Sequence, residues 1–287
     1  MPAEKHNNPR ERISEARRME ISELAEGIHA AYFSSDCCDP IQIADKKKIT
    51  HSFNHYDDAF DGMLECLNGR FHIYGNLTRL ERANSERARF TIAHELGHYF
   101  IDEHRNALAS GRTPMHKSKT EFESKNLVEQ EADHFAANLL MPMQRFFKAA
   151  QKAPLGFDGI YKLAKIFGSS LTSTAVRYVQ CELVPCAVIK WNPDGFAWRS
   201  ISVETSKAKL ISTVTSKESL PCDSATALAL SNVAQPSNGV FQCGTTASAW
   251  FRFVSSESEK NPILIEQAIR IGRFGVLTFL FPESKKF

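Results

Sequence analysis

The chain has 287 residues, 43% hydrophobic and 10% aromatic, enough apolar material to fill one large domain or two ordinary ones. Its 35 basic and 33 acidic residues leave a formal net charge of +2, without the basic excess of a dedicated nucleic-acid or anionic-membrane binder. The seven cysteines (Cys37, Cys38, Cys66, Cys181, Cys186, Cys222, Cys243) form no CxxC pair, which excludes a zinc ribbon and reads as free thiols in a reducing compartment.

The first ten residues, MPAEKHNNPR, are polar and read as disordered, and up to Arg18 there is no apolar segment of signal-peptide type. No later apolar run reaches membrane-spanning length, so the expectation is a cytoplasmic protein with no membrane partner. Ile13, Ala16, Ile21, Leu24, Ala25, Ile28 and Ala31 recur at helical spacing, and Asp39-Pro40 is expected to close that helix. Between Ile41 and Leu77, turn signals at Asp61-Gly62, Asn68-Gly69 and Gly75-Asn76 separate short stretches. The alternation of Phe71 and Ile73 with His72 and Tyr74 predicts a strand of a small sheet.

From Asn84 to about Asp102 the pattern is helical: Asn84 or Ser85 can cap, Glu86 suits the first turn, and Phe90, Ala93, Gly97, Phe100 and Ile101 form an apolar stripe. The polar stretch from Arg105 to Lys125, with Gly111 and Pro114, reads as a connecting loop. A second helix is expected from Glu129 to Met141, with Ala132, Phe135, Ala136, Leu139 and Leu140 apolar and Pro142 ending it. From Gly159 to Gln180, two helical stretches broken at Gly168-Ser169-Ser170 have the outline of a helix-turn-helix. Beyond Pro185 the texture changes to short β-like runs (Ala187 to Trp191, Phe196 to Val203, Ala249 to Val254, Val276 to Phe281).

The first of these helices carries the chemistry. His94-Glu95-Leu96-Gly97-His98 is an HExxH pattern, and i, i+4 spacing on a helix brings both imidazoles to one face, close enough to share a cation. Glu95, roughly 100° around the helix, misses the cation but can take a proton from an attacking water and pass it to a leaving amine. A catalytic zinc wants a third protein ligand and an open position. His104 stands where some HExxH enzymes place a third histidine, but Ile101 replaces the glycine that would turn the chain back. On the later helix Glu129 and Asp133 share a face at i, i+4, so Glu129 is read as the ligand and Asp133 as the carboxylate that orients a ligand histidine. Glu131 falls on the opposite face and reads as a solvated charge, and His134 as a packed or exposed histidine rather than a ligand. His72 and Tyr74 are candidates to stabilise an oxyanion. Their strand could add a peptide backbone to its edge or lie inside the sheet.

Two blocks, Arg87-Ala88-Arg89-Phe90-Thr91-Ile92-Ala93-His94-Glu95-Leu96-Gly97-His98 and Glu129-Gln130-Glu131-Ala132-Asp133-His134-Phe135-Ala136-Ala137-Asn138-Leu139-Leu140-Met141-Pro142, resemble the ImmA/IrrE family of bacterial metallopeptidases. The resemblance implies that Glu129 completes a zinc site. It further implies cleavage of a helix-turn-helix repressor of the XRE type, relieving repression of stress-response or mobile-element genes. The chain departs from the family in a polar insertion between His98 and Glu129 and in the strand block Phe71-His72-Ile73-Tyr74-Gly75-Asn76.

The expectation is an α/β (α+β) chain in three parts: a zincin-like zinc peptidase domain over 1–150, a helix-turn-helix-like hairpin over 151–182, and a mixed α/β domain over 183–287, which the resemblance of this length and layout to longer members of that family implies is a GAF-like sensor. The metal is read as Zn2+, with Mn2+ a possible working metal, and the C-terminal domain as a place for a small regulatory ligand that the sequence does not name. The alternative is a metal-sensing transcriptional regulator that binds DNA through the hairpin. Against it, Leu171 to Arg177 offers one Arg and no Asn or Gln to read base edges.

Overall fold

The structure, a computed structural model, describes residues 12–111, 115–118, 126–202, 210–212, 219–221, 223–231, 233–253 and 261–283. The N-terminal residues read as disordered, Pro114, Lys125, Cys222 and the expected strand ends at Val203 and Val254 lie outside the described residues. The chain is mixed α/β and divides into two compact units, Met1–Pro142 with Phe167–Ser169 and Met143–Ile166 with Ser170–Phe287.

In the first unit, α1 (Glu15–Tyr32) starts at Ser14, whose hydroxyl accepts a bond from the Arg17 N–H, and buries Ile21, Ala25 and His29. Asp39-Pro40 does not close this helix; it opens the next one, α2 (Pro40–Lys46). The Asp39 carboxylate accepts from the Ile41 N–H, and Pro40 occupies a position where a helix has no partner for an N–H anyway. The strands β1 (Thr50–Asn54), β2 (Gly62–Leu67) and β3 (Arg70–Asn76) follow. Asn68 and Gly69, both at positive φ (51° and 74°), form the tight turn between β2 and β3, the left-handed pair that matches strand twist in a two-residue hairpin. The Asp61-Gly62 and Gly75-Asn76 signals are instead strand ends, with Gly62 and Gly75 paired across the ladder.

A single turn, α3 (Leu77–Leu80), precedes α4 (Glu86–Phe100), where Ser85 is the cap and accepts from the Ala88 N–H. The stretch read as a polar loop holds a helix, α5 (Asp102–Ala109), and a strand, β4 (Met115–Ser118), before α6 (Leu127–Leu140). Ile101 leaves α4 in an extended conformation, and Asp102 and Glu103 then sit in a new first turn, where acidic groups are favoured. The strand β4 is defined by its antiparallel partner β2, from Gly62 opposite Ser118 to Glu65 opposite Met115, and local polarity conceals it. The sheet order is β1-β3-β2-β4, with β1 parallel to β3. The strand carrying His72 and Tyr74 is therefore interior, and β4 is an edge.

In the second unit come α7 (Met143–Lys152), α8 (Phe157–Phe167) and α9 (Leu171–Gln180). Gly168, at φ 59°, turns the chain between the last two, and Ser170 caps α9. They are followed by β5 (Ala187–Asn192), β6 (Gly195–Ile201), β7 (Leu210–Ser212), α10 (Ala225–Leu230), β8 (Val240–Thr246), α11 (Ala247–Trp250), β9 (Phe251–Phe253), β10 (Ile263–Arg270) and β11 (Val276–Pro282). Five strands form an antiparallel sheet in the order β6-β5-β11-β10-β8, and β7 pairs with β9. One face of the sheet, with Ile189, Trp191, Phe241, Ala268 and Leu280, packs with Ala225 and Ala229 of α10. On the other face the Phe279 ring meets Phe157 of α8 at 6.1 Å and Tyr178 of α9 at 5.7 Å. The strands β8 and β10 escape a reading of apolar runs because Gln242, Gly244, Glu266 and Gln267 interrupt them. No helix among the described residues is long and apolar enough to cross a membrane.

Candidate metal centre

Two helices have to approach closely for their side chains to share an ion, and Gly97 permits it. A Cβ on Gly97 would lie 3.1 Å from the Ala132 Cα and 3.3 Å from the Phe135 Cβ, so α4 and α6 are in near backbone contact there. Phe100 and Phe135 stack one turn further on, with ring centroids 5.9 Å apart.

This packing brings His94, His98 and Glu129 together, each buried, with one donor atom apiece all within 4.8 Å of one another. The Nε2 atoms of His94 and His98 are 3.1 Å apart. Glu129 spans them, with Oε2 3.4 Å from His94 Nε2 and Oε1 3.4 Å from His98 Nε2. Behind His94, Nδ1 lies 2.8 Å from Asp133 Oδ1, so the carboxylate one turn along α6 holds that ring with Nε2 toward the cluster. Glu95 is fully buried beside it, and neither of its oxygens makes a hydrogen bond of good geometry.

The comparisons with known proteins bear on this arrangement. A family model for the IrrE N-terminal-like domain, Peptidase M78, covers both helices and most of the hairpin. Residues 76–178 match the IrrE N-terminal-like domain. The resemblance carried by the two motif blocks is thus borne out. Among solved structures, a Mycobacterium tuberculosis transcriptional regulator superposes with a TM-score of 0.54 at 12% identity, covering 93% of this chain and 78% of that one. At that identity the likeness is one of fold alone. No curated protein matches the chain in sequence.

The electrostatics of this M78-like region favour a cation. Burial alone would raise the Glu129 carboxyl, yet the two imidazoles hold it well below the usual carboxylate range. Burial alone would lower His94, yet the carboxylates of Asp133 and Glu129 raise it well above an ordinary imidazole. Burial drives Glu95 the other way, up to about 8, against the pull of His94 and Ser118 and with a further push from Glu129. Two imidazole nitrogens and a carboxylate oxygen are the donor set of a catalytic zinc that keeps a place for substrate, and the residues present fit that group.

Around the cluster the structure reassigns Glu131, places His104 against His98, and keeps His134 a packed histidine, as expected. Glu131 is not a solvated charge: its side chain is only 16% exposed, Arg17 binds both its oxygens, and Oε2 lies 3.0 Å from His104 Nε2. His104 reaches His98 rather than the shared donor cluster, Nδ1 to Nδ1 at 3.2 Å. His134 packs against α1, with Nε2 2.9 Å from the Ser22 hydroxyl and 3.1 Å from the Arg18 carbonyl. Tyr74 donates to Glu65 at 2.8 Å, and His72 sits between the hydroxyls of Thr50 and Ser52 at 2.7 and 2.9 Å.

Two neighbours of Glu95 had no sequence signal. Ser118 sits in the stretch taken for a loop. Gly62, read as a turn, is the position where a Cβ would fall on Thr91 Cγ2 and Glu95 Oε1.

Proposed function

We propose that the chain is a zinc-dependent site-specific endopeptidase acting in the cytoplasm, and that its substrate is a helix-turn-helix repressor of the XRE type. The observation that carries the peptidase reading is the convergence of His94, His98 and Glu129 beside the buried carboxyl of Glu95. The substrate is inferred from the resemblance of the two motif blocks to ImmA/IrrE proteins.

In this reading His94 Nε2, His98 Nε2 and the Glu129 carboxylate hold the cation, and Asp133 fixes the His94 ring. Bound there, zinc supplies Lewis-acid polarisation of a peptide carbonyl and lowers the pKa of water. Glu95 takes the proton from the attacking water and delivers it to the departing amine. Burial raises its carboxyl above the ordinary carboxylate range, the direction that helps a group both accept and return a proton. Substrate can be held by β4: among the described residues β2 is its one strand partner, so its outer edge can pair with an extended peptide. Gly62, opposite Ser118 on the inner side, keeps the wall beside Glu95 free of side chain.

The structural neighbour's name, transcriptional regulator, favours a second reading, a metal-sensing DNA-binding protein. Arg177, the one arginine of α9, weighs against it, being buried at 4% exposure and so withheld from base edges. A small ligand for the GAF-like part expected over 183–287 belongs to either reading.

The test mixes purified protein with an XRE-type repressor in the presence of zinc or manganese, with and without a chelator. Cleavage should require the metal. Glu95→Gln should bind metal as the native chain does and lose cleavage by roughly 10²–10⁴-fold, the usual worth of a general base. A fully active Glu95→Gln protein would reject the assigned role, and DNA binding without cleavage would favour the second reading.

A further inference from the structure

A histidine that gives Nε2 to a cation must carry its proton on Nδ1, and a buried Nδ1–H needs an acceptor. For His94 the acceptor is the Asp133 carboxylate. For His98 it is another imidazole: His98 Nδ1 lies 3.2 Å from His104 Nδ1, and both rings are buried. His104 can accept there only if its own proton sits on Nε2. That nitrogen lies 3.0 Å from Glu131 Oε2, an acceptor that draws the proton to it. Glu131 is fixed in turn by Arg17, which donates from Nε to Oε1 at 3.0 Å and from Nη2 to Oε2 at 2.9 Å. Arg17 is itself steadied by Glu20 and Glu103, each at 3.0 Å.

We infer that His104, Glu131 and Arg17 form a relay of positioning residues that sets the tautomer and orientation of His98, so that His98 Nε2 faces the cation with its lone pair free. With the Nε2 lone pair of His98 given to a cation, only one proton arrangement satisfies every link. Arg17 donates to Glu131, His104 donates from Nε2 to Glu131, and His98 donates from Nδ1 to His104. The relay joins four elements of the first unit, α1, α4, α5 and α6, and gives α5 a task at the site. This inference deepens the metal-centre reading and rests on it.

The test measures metal affinity on the full chain, by competition of Zn2+ with a chromophoric chelator and by the visible spectrum of the Co2+-loaded protein. His104→Phe keeps a ring but removes the acceptor, and it should weaken Zn2+ binding by about 10–100-fold, the usual worth of such a partner, and alter the Co2+ spectrum. His104→Asn, whose side-chain oxygen can reach the place of Nδ1, should restore affinity to within a few-fold of native. Glu131→Ala, which leaves His104 but frees its tautomer, should give a smaller loss, about 3–10-fold, and reads the same relay if His104→Phe does not fold.

Native affinity and spectrum in His104→Phe, or in Glu131→Ala where it stands in, overturn the relay while leaving the metal centre standing. So does a His104→Asn protein no better than His104→Phe, because a packing role would favour the ring. Failure of the native chain to bind Zn2+ or Co2+ overturns the metal centre and the relay with it.

Discussion

Among the described residues each unit buries one glutamate completely, and the two are treated in opposite ways. In the second unit Glu266 is a satisfied acceptor: Oε1 takes the Thr226 N–H and hydroxyl, both at 2.7 Å, and Oε2 takes the Cys243 thiol at 3.5 Å. The chain of bonds continues from Thr226 to Thr278 at 2.6 Å, with Thr278 accepting from the Trp191 indole at 3.2 Å. In the first unit Glu95 is equally buried, but its oxygens lack well-formed hydrogen bonds and it lies beside the cluster of His94, His98 and Glu129. A core that needs a polar group surrounds it with donors. Around Glu95 only the Ser118 side chain and the Leu64 backbone pull its carboxyl down, and neither makes a well-formed bond to it, which suits the proton-transfer role proposed for it. In the peptidase reading, this difference is what separates a structural acid from a chemical one where burial alone does not.

The sharpest way to break this contrast is Glu266→Ala. Removing the acceptor strands the buried Thr226 donors, and we expect a loss of about 2–3 kcal/mol in the stability of the second unit. Glu266→Gln retains a carbonyl for Thr226 and should lose much less. Chemical denaturation followed by tryptophan fluorescence measures both, since all three tryptophans (Trp191, Trp198 and Trp250) lie in the second unit, and equal losses in Ala and Gln would show that the hydrogen bonds are not what Glu266 supplies. Zn2+ affinity should be unchanged in either variant, unlike in His104→Phe.

The site was legible where local rules decide it. His94, Glu95, His98, Glu129 and Asp133 sit at fixed intervals on two helices, and periodicity places them on faces without knowledge of the fold. The relay was not legible, because it joins Arg17, His104 and Glu131 from three helices. Glu131 looked solvated only because its partner lies 114 residues away. In the fold, Asn68-Gly69 and the apolar strands β5 and β11 announced themselves, whereas β4, β8 and β10 are strands by virtue of their neighbours. The Asp39-Pro40 pair shows a different limit: the same dipeptide can end one helix or begin another, and the cap geometry decides which.

Gly62→Ala perturbs Glu95 from the sheet side without touching a ligand. The backbone of Gly62 needs no positive φ, and the new methyl would meet only side-chain atoms, Thr91 Cγ2 and Glu95 Oε1, so Glu95 should shift while β2 stays. We expect cleavage of the repressor to fall about tenfold with Zn2+ affinity intact, an effect typical of a misplaced catalytic group. An unchanged rate would mean that the position of Glu95 tolerates movement and that its sparse hydrogen bonding has no catalytic meaning.

The smallest expected effect lies in the pH dependence of the second unit. Burial raises the Glu266 carboxyl above the ordinary value of 4.5 in spite of the donors from Thr226, Cys243 and Ser224. The folded state therefore binds this proton more tightly than the unfolded state. The resulting stability is fully present below about 4.5 and is lost as pH rises through the folded value, by at most ~1.4 kcal/mol per pH unit. Cys243, the titratable group facing it, is pushed up to about 11 by burial and by Glu266, and so stays a neutral thiol across this window. The melting temperature of the native chain minus that of Glu266→Gln, measured from acid to neutral pH, should decline as pH rises. A flat difference would mean that the hydrogen bonds to Glu266 offset its burial in full, and the distinction between the two glutamates would then rest on Glu95 alone.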